Sequence, residues 1–274
     1  MPTEATKRLA AIASAPSGRI PLAEAALWIA AEEYPALDVE AYLDRLDELA
    51  EKARQRIAPY PPAETIARFN HFLFRELRFA GNSESYDDPR NSFLNEVLDR
   101  RVGIPITLAL IYTEIGARIG MPVVGVGFPG HFLVRWMGER EVLIDPFLGK
   151  VITREQCEEK LRSSYGPEAR MDDSLLAPAT PRETLARMLR NLKLSYLGRG
   201  DLERALSAVD RILVVTPDDA GELRDRGILY FRLECFAAAL EDFERYLALA
   251  PQDAMAEEIR SRLPDLRREA ARLQ

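Results

Sequence analysis

Two residues of this 274-residue chain have the types and spacing for proton chemistry, His131 and Asp145. His131 is one of only two histidines. It follows Phe128-Pro129-Gly130, a turn former that would deliver an imidazole to the mouth of a strand running from His131 to Trp136. A return strand, Arg140 to Asp145, is expected across Met137-Gly138-Glu139. If Trp136 pairs with Arg140, Val134 faces Val142 and His131 faces Asp145. Directly opposed residues point to one side of a sheet with Cβ atoms about 5 Å apart. The product is an imidazole held by a carboxylate at the edge of a sheet beside a helix N-terminus, a pair suited to moving a proton.

The elements before the pair must position it. Leu108, Ile111 and Ile115 recur at spacings of three and four, a helical stripe that opens at Gly103-Ile104-Pro105. Gly120 stands where a left-handed residue ends a helix, and Pro122 follows. Met121 to Phe128, with Val123, Val124 and Val126, reads as a strand.

The order of helix, strand with His, and strand with Asp-Pro resembles the transglutaminase-like (papain-like) superfamily, in which a Cys opens the helix and the Asp orients the His. More narrowly, NSFLNEVLDRRVGIPITLALIY, GVGFPGHFLVR and LIDPF resemble the bacterial SirB-one family, a transglutaminase-like core followed by tetratricopeptide repeats. The resemblance implies that His131 is the general base and Asp145 its orienting carboxylate. It places the nucleophile in a Gly-x-Cys segment, fifteen residues before the Gly of the Gly-x-Pro that ends the helix. Counting back from Gly120 reaches Pro105. Proline has no reactive atom and no backbone N–H for an oxyanion, so a degenerate triad is expected. Thr107 lies about 200° further round the helix and should face away. Ser92 and Cys157 approach the imidazole only through an unforeseen turn of chain. By the same resemblance the segment around Asp88, Arg90, Asn91 and Asn95 borders the cleft, making these four candidate binding residues. Read as residues alone, they are caps and helix surface, with Asn91 or Ser92 starting a helix that carries Phe93, Leu94, Val97 and Leu98.

The rest of the chain narrows the function. Net charge is -7, with 37 basic against 44 acidic residues, which argues against nucleic acid or an anionic membrane as partner. No apolar run approaches a membrane span, and the N-terminus lacks the apolar core of a signal peptide. Cys157 and Cys235 fall in separate helical segments and form neither a disulfide nor a zinc framework. Two histidines without a Cys pair or HExxH spacing leave no expected metal, and no phosphate loop or other cofactor motif is present. A cytoplasmic protein without a cofactor is the expectation.

Organisation follows from periodicity. Helices are expected at residues 4–16, from Pro21 with Ala25, Ala26, Ile29 and Ala30 on one face, and at about 38–57. Tyr60-Pro61-Pro62 marks a boundary. A helix from Glu64 carries His71, read as a core or surface histidine. Thr153-Arg154-Glu155-Gln156 is a capping box starting the helix of Cys157, and residues 165–179 read as a linker. Beyond it Leu189 and Leu223, Tyr196 and Tyr230, Ala205 and Ala239, and Pro217 and Pro251 each stand 34 residues apart, the tetratricopeptide period. Lys193 and Arg226 depart from that pattern, which prefers Gly and Leu there. The last segment, from Pro251, should be a helical cap broken near Pro264. By the repeat pattern, Arg187, Arg190, Arg224 and Arg232 line the concave groove, where they could take the carboxylates of an acidic or C-terminal peptide.

These observations give an α+β fold: a helical N-terminal region at 1–60, a transglutaminase-like core at 61–175 and an all-α repeat region at 180–274. The expected function is non-catalytic protein or peptide binding as a scaffold or regulator. The alternative is an enzyme using His131 and Asp145 with a nucleophile not yet identified.

Overall fold

The computed structural model describes residues 3–58, 62–138 and 141–272. The expected boundary at Tyr60-Pro61 and the turn residues Glu139 and Arg140 lie outside them. The chain divides into two compact units, Met1–Thr184 and Leu185–Gln274.

The first unit begins with three helices, α1 (Glu4–Ala13), α2 (Leu22–Ala31) and α3 (Val39–Ile57). Thr3 and Asp38 cap the first and third by accepting backbone N–H groups of Thr6 and Ala41. Ala25, Ala26, Ile29 and Ala30 of α2 are fully buried, as their spacing requires. Helix α4 (Pro62–His71) continues into a wider π-type turn, Phe72–Glu76. His71 is a surface residue, its side chain 64% exposed and its Nδ1 3.4 Å from Glu76.

A short parallel pair, β1 (Ala80–Gly81) and β2 (Val102–Gly103), flanks α5 (Leu94–Arg100). Neither Asn91 nor Ser92 caps α5. Asp88 instead caps a single 3₁₀ turn, Pro89–Ser92, and α5 starts after Phe93 with no side-chain cap. The proline fixes φ at the first position of that turn, which ends the cap one turn earlier than the sequence suggested. Helix α6 (Pro105–Arg118) opens at the expected proline and ends at Gly120, whose φ is +77°.

The sheet is β3 (Val123–Val126), β4 (Leu133–Trp136), β5 (Val142–Asp145) and β6 (Lys150–Ile152), antiparallel throughout and in chain order. Strands β4 and β5 start later than expected, and their register is shifted. Val134 faces Ile144 and Trp136 faces Val142, so the connection is longer than the three-residue loop that pairing Trp136 with Arg140 would leave. The displacement is two residues, which preserves the face each side chain points to. Strand β6 was not anticipated. Helix α7 (Arg154–Tyr165) begins at the capping box, with Thr153 N–H donating to Gln156 Oε1 and Gln156 N–H to Thr153 Oγ1.

Residues 165–179 are more than a linker. Leu176 is fully buried in the cluster of Val126, Phe128, Leu133, Leu143 and Cys157. Pro178 bridges to Val126, and Ala179 N–H donates to Gly125 O at 2.8 Å. The edge strand β3 offers unpaired backbone groups, and this segment satisfies them.

The second unit contains most of α8 (Pro181–Gly198), then α9 (Leu202–Val215), α10 (Ala220–Arg232), α11 (Phe236–Leu249) and α12 (Ala256–Arg272). Ala205 and Ala239 are fully buried, and a Cβ at Gly227 would come within 2.6 Å of Phe243, so the helices approach closely at these small residues. Helix α12 is not broken at Pro264 but runs through it. The departures from the repeat pattern are compensated. Lys193 Nζ lies 2.7 Å from Glu222 and from Asp225, and Arg226 pairs with Asp242 at 2.7 Å and Asp210 at 2.8 Å.

Candidate functional site

Asp145, the last residue of β5, is fully buried and spends both oxygens. Oδ1 accepts the backbone N–H groups of Phe147 (3.0 Å) and Leu148 (3.1 Å), closing the turn into β6. Oδ2 lies 3.0 Å from His131 Nε2 and 3.2 Å from Lys160 Nζ. Both nitrogens thus stand within polar-contact distance of this one buried oxygen. Burial pushes the carboxyl up. The opposing pull of His131, of the Leu148 amide and of the Lys160 ammonium is stronger and holds it below the usual carboxylate range.

The expected partnership of His131 with Asp145 is thus present, but not by strand opposition. His131 precedes β4 and is placed by the Phe128-Pro129-Gly130 turn, its N–H donating to Phe128 O at 3.0 Å. Phe147 packs edge-on against its ring, with centroids 6.3 Å apart. Phe147 in turn lies over Gly81, where a Cβ would stand 2.4 Å from the ring, and its carbonyl accepts the Gly81 N–H. Gly81 pairs with Gly103. A continuous path therefore joins the His–Asp turn to the start of α6, where Pro105 is the first, buried residue.

Of the nucleophiles considered from sequence, Thr107 and Cys157 are committed elsewhere, and Ser92 is buried. The Thr107 hydroxyl donates to Asn91 O at 2.7 Å and accepts the Ile104 N–H at 3.2 Å, in full burial. Ser92 is 3% exposed. Cys157 is fully buried in the apolar cluster, and burial pushes its thiol up to about 11, which keeps it protonated and inert at neutral pH.

A cavity of about 460 Å³ opens beside His131. Helix α7 forms one wall with Gln156, Glu159, Lys160, Ser163 and Ser164, while Cys157 and Leu161 point into the core. Leu148, Lys150 and Ile152 supply another wall. Lys160, Ser163 and Ser164 escaped sequence reasoning. The available signal was the capping box, which fixes the phase of α7 and puts Gln156, Glu159, Lys160 and Ser163 on one side. Among the described residues no three His, Cys, Asp or Glu side chains converge to hold a metal ion.

The remaining candidates are distributed as follows. Asp88 accepts the Arg90 N–H and pairs with its guanidinium at 2.6 Å. Asn91, fully buried, clamps the preceding loop, accepting from Asn82 and donating to Ser85 O and Tyr86 O. Asn95 is 4% exposed. None of these four lines the cavity beside His131. In the second unit Arg190 pairs with Asp219 (2.5 Å) and Glu222 (2.7 Å), and Arg224 with Asp225 (2.8 Å). Arg187 is half-buried and Arg232 exposed.

Comparison with known proteins agrees with this architecture. The transglutaminase-like superfamily matches residues 40–190, and a tetratricopeptide repeat family matches residues 192–264. A UPF0162 protein of Xylella fastidiosa (strain Temecula1) is 41% identical over 258 residues, covering 91% of each chain. A UPF0162 protein of Pseudomonas aeruginosa is 35% identical over 89% of this chain and 90% of its own. Protein SirB1 of Salmonella typhimurium is 29% identical over 84% of this chain and 86% of its own. No solved structure matches the chain. The superfamily match spans more than half of the chain and the repeat match takes up where it ends, so this chain belongs to the transglutaminase-like superfamily, with tetratricopeptide repeats behind the core, alongside the UPF0162 and SirB1 proteins.

Proposed function

We propose that this protein is a non-catalytic peptide-binding scaffold or regulator, in which a transglutaminase-like cleft keeps its base and orienter but has lost its nucleophile. The observation that carries this reading is Pro105 at the first position of α6, the slot that the family resemblance assigns to the nucleophile. A proline there supplies neither an attacking atom nor an N–H. The sequestered Thr107 and the protonated, core-bound Cys157 support the same conclusion.

The repeat helices supply the second binding surface. An acidic peptide engages exposed Arg232 directly. It reaches Arg190 and Arg224 only by competing with Asp219, Glu222 and Asp225. Nucleic acid and membrane are not its partners on this reading. No helix among the described residues is long and apolar enough to cross a membrane. We place the protein in the cytoplasm, where Cys157 and Cys235, neither in a disulfide, stay as thiols.

The hydrolytic alternative has one observation on its side, because Ser163 and Ser164 line the same cavity as His131. An amide and ester hydrolysis assay separates the two. The scaffold reading expects no turnover above background, with His131→Ala lowering stability by about 1–3 kcal/mol. It also expects peptides selected by display on the intact chain to lose binding with Arg232→Glu. Turnover that disappears in His131→Ala and in Ser163→Ala or Ser164→Ala, with the fold retained, would replace it by an enzyme.

A further inference from the structure

The cavity beside His131 has a one-sided chemistry. The buried carboxylate nearest its wall, Asp145, is not among the lining residues: it accepts two backbone amides on Oδ1 and lies beside His131 and Lys160 on Oδ2. The polar groups on its walls are mostly donors. Lys150 stands directly across the β5–β6 hairpin from Asp145 and is exposed, with no ion-pair partner among the described residues. The Ser163 and Ser164 hydroxyls have no protein partner among the described residues. Gln156 uses its carbonyl oxygen in the capping box, which leaves its amide N–H groups to face the cavity. Lys160 retains N–H groups beyond the one directed at Asp145. Only Glu159, exposed on α7, adds an unpaired negative charge.

A volume of about 460 Å³ suits a small ligand or a few residues of peptide. Donors from three separate elements, two of them anchored on a buried carboxylate, form a preorganised receptor for negative oxygen atoms. We propose that this cleft binds an oxyanion carried by a peptide, either a terminal carboxylate or a phosphoryl group. The proposal rests on the peptide-binding reading above and names the chemistry it recognises. Lys150 and Lys160 supply the charge, Ser163, Ser164 and Gln156 the directional hydrogen bonds, and the buried Asp145 holds Lys160 and His131 in position.

The two histidines make the test direct, since each gives its own imidazole NMR signals and exposed His71, outside the cavity, is an internal control. Three probes are titrated into the intact chain at fixed pH: acetyl-trialanine as the free acid, its C-terminal amide, and inorganic phosphate. The free acid, phosphate or both should move the His131 signals and leave those of His71 in place. The amide should have no effect. Movement by the free acid alone assigns a peptide terminus, and movement by phosphate alone a phosphoryl group. Lys150→Ala should weaken the active probe about tenfold, the loss of one charge-assisted contact, and Glu159→Gln should strengthen it. Lys160→Met removes a partner of buried Asp145 and risks the fold, so exposed Lys150 is the deciding variant. Equal binding of acid and amide would overturn the oxyanion inference while leaving peptide binding intact. So would binding indifferent to Lys150→Ala. If no probe moves His131, the inference fails, and the scaffold reading then rests on the repeat groove alone.

Discussion

The two compact units bury charge to different ends. In the second, Lys193 and Arg226 replace the Gly and Leu of the repeat pattern, and each meets two carboxylates within 2.8 Å. Acids equal or outnumber the cations they serve, and the groups are spent on one another. In the first unit one buried carboxylate, Asp145, serves an imidazole and an ammonium group, His131 and Lys160, that both line a cavity. The same type of contact therefore closes one structure and leaves the other with donors to spare. A buried ion pair is weak evidence of function by itself. The balance of donors and acceptors around it is more informative.

The largest expected effect tests the Asp145 side of this contrast. Asp145→Ala removes the acceptor of two backbone amides and the partner of His131 and Lys160, and should cost about 3–5 kcal/mol in urea denaturation. A cost below 1 kcal/mol would show that the turn and the imidazole hold each other without it. Next comes Arg226→Leu, which restores the residue the repeat pattern prefers but strands Asp242, 2% exposed. A loss of about 2–3 kcal/mol is expected. Adding Asp242→Leu should recover most of it, since replacing a buried pair by apolar residues is often neutral or stabilising. Failure of the double variant to recover would mean that the network specifies helix packing.

Gly81→Ala should cost about 1–3 kcal/mol, because its Cβ would overlap the Phe147 ring. It should also displace the His131 imidazole signals, since Phe147 packs on that ring. Loss of stability with unmoved His131 signals would disprove the path from the α6 entrance to the imidazole.

The smallest effects are opposed pH slopes. Asp145 is held below its ordinary 3.8, so its contribution is present above that value and is lost as pH falls below it through the folded-state value. Asp210 is raised, chiefly by burial, so its penalty is present at neutral pH and is relieved as pH falls through the raised value toward 3.8. Urea midpoints across the acid range should therefore fall less steeply for Asp145→Asn than for the wild type. They should fall more steeply for Asp210→Asn. Slopes of the same sign would remove this distinction between the two units.

Much of this was legible because residue type and spacing are local. The stripe of Leu108, Ile111 and Ile115 with Gly120 fixed α6, and the 34-residue repeats of Tyr, Ala and Pro fixed the helices of the second unit. The His131–Asp145 partnership was also readable, although its register was not. Loop length between β4 and β5 has no strong local signal, and a slip by two residues leaves the hydrophobic alternation unchanged. Lys160 was missed because its stem lies on a helix whose neighbours in sequence give no hint of a buried carboxylate fifteen residues earlier.

The sequence by itself determined that a helix opening at a proline, a turn with histidine and a strand ending in Asp-Pro occur in this order, and that repeat helices follow. These features depend on short-range sterics, periodicity and the chemistry of single residues. Only the tertiary structure decided that Asp145 is shared between His131 and Lys160, that α7 turns Ser163 and Ser164 toward the same cavity, and that Lys193 and Arg226 are answered by acids on neighbouring helices. Those are contacts between distant segments, and their cost or benefit is set by burial, which exists only once the chain has packed.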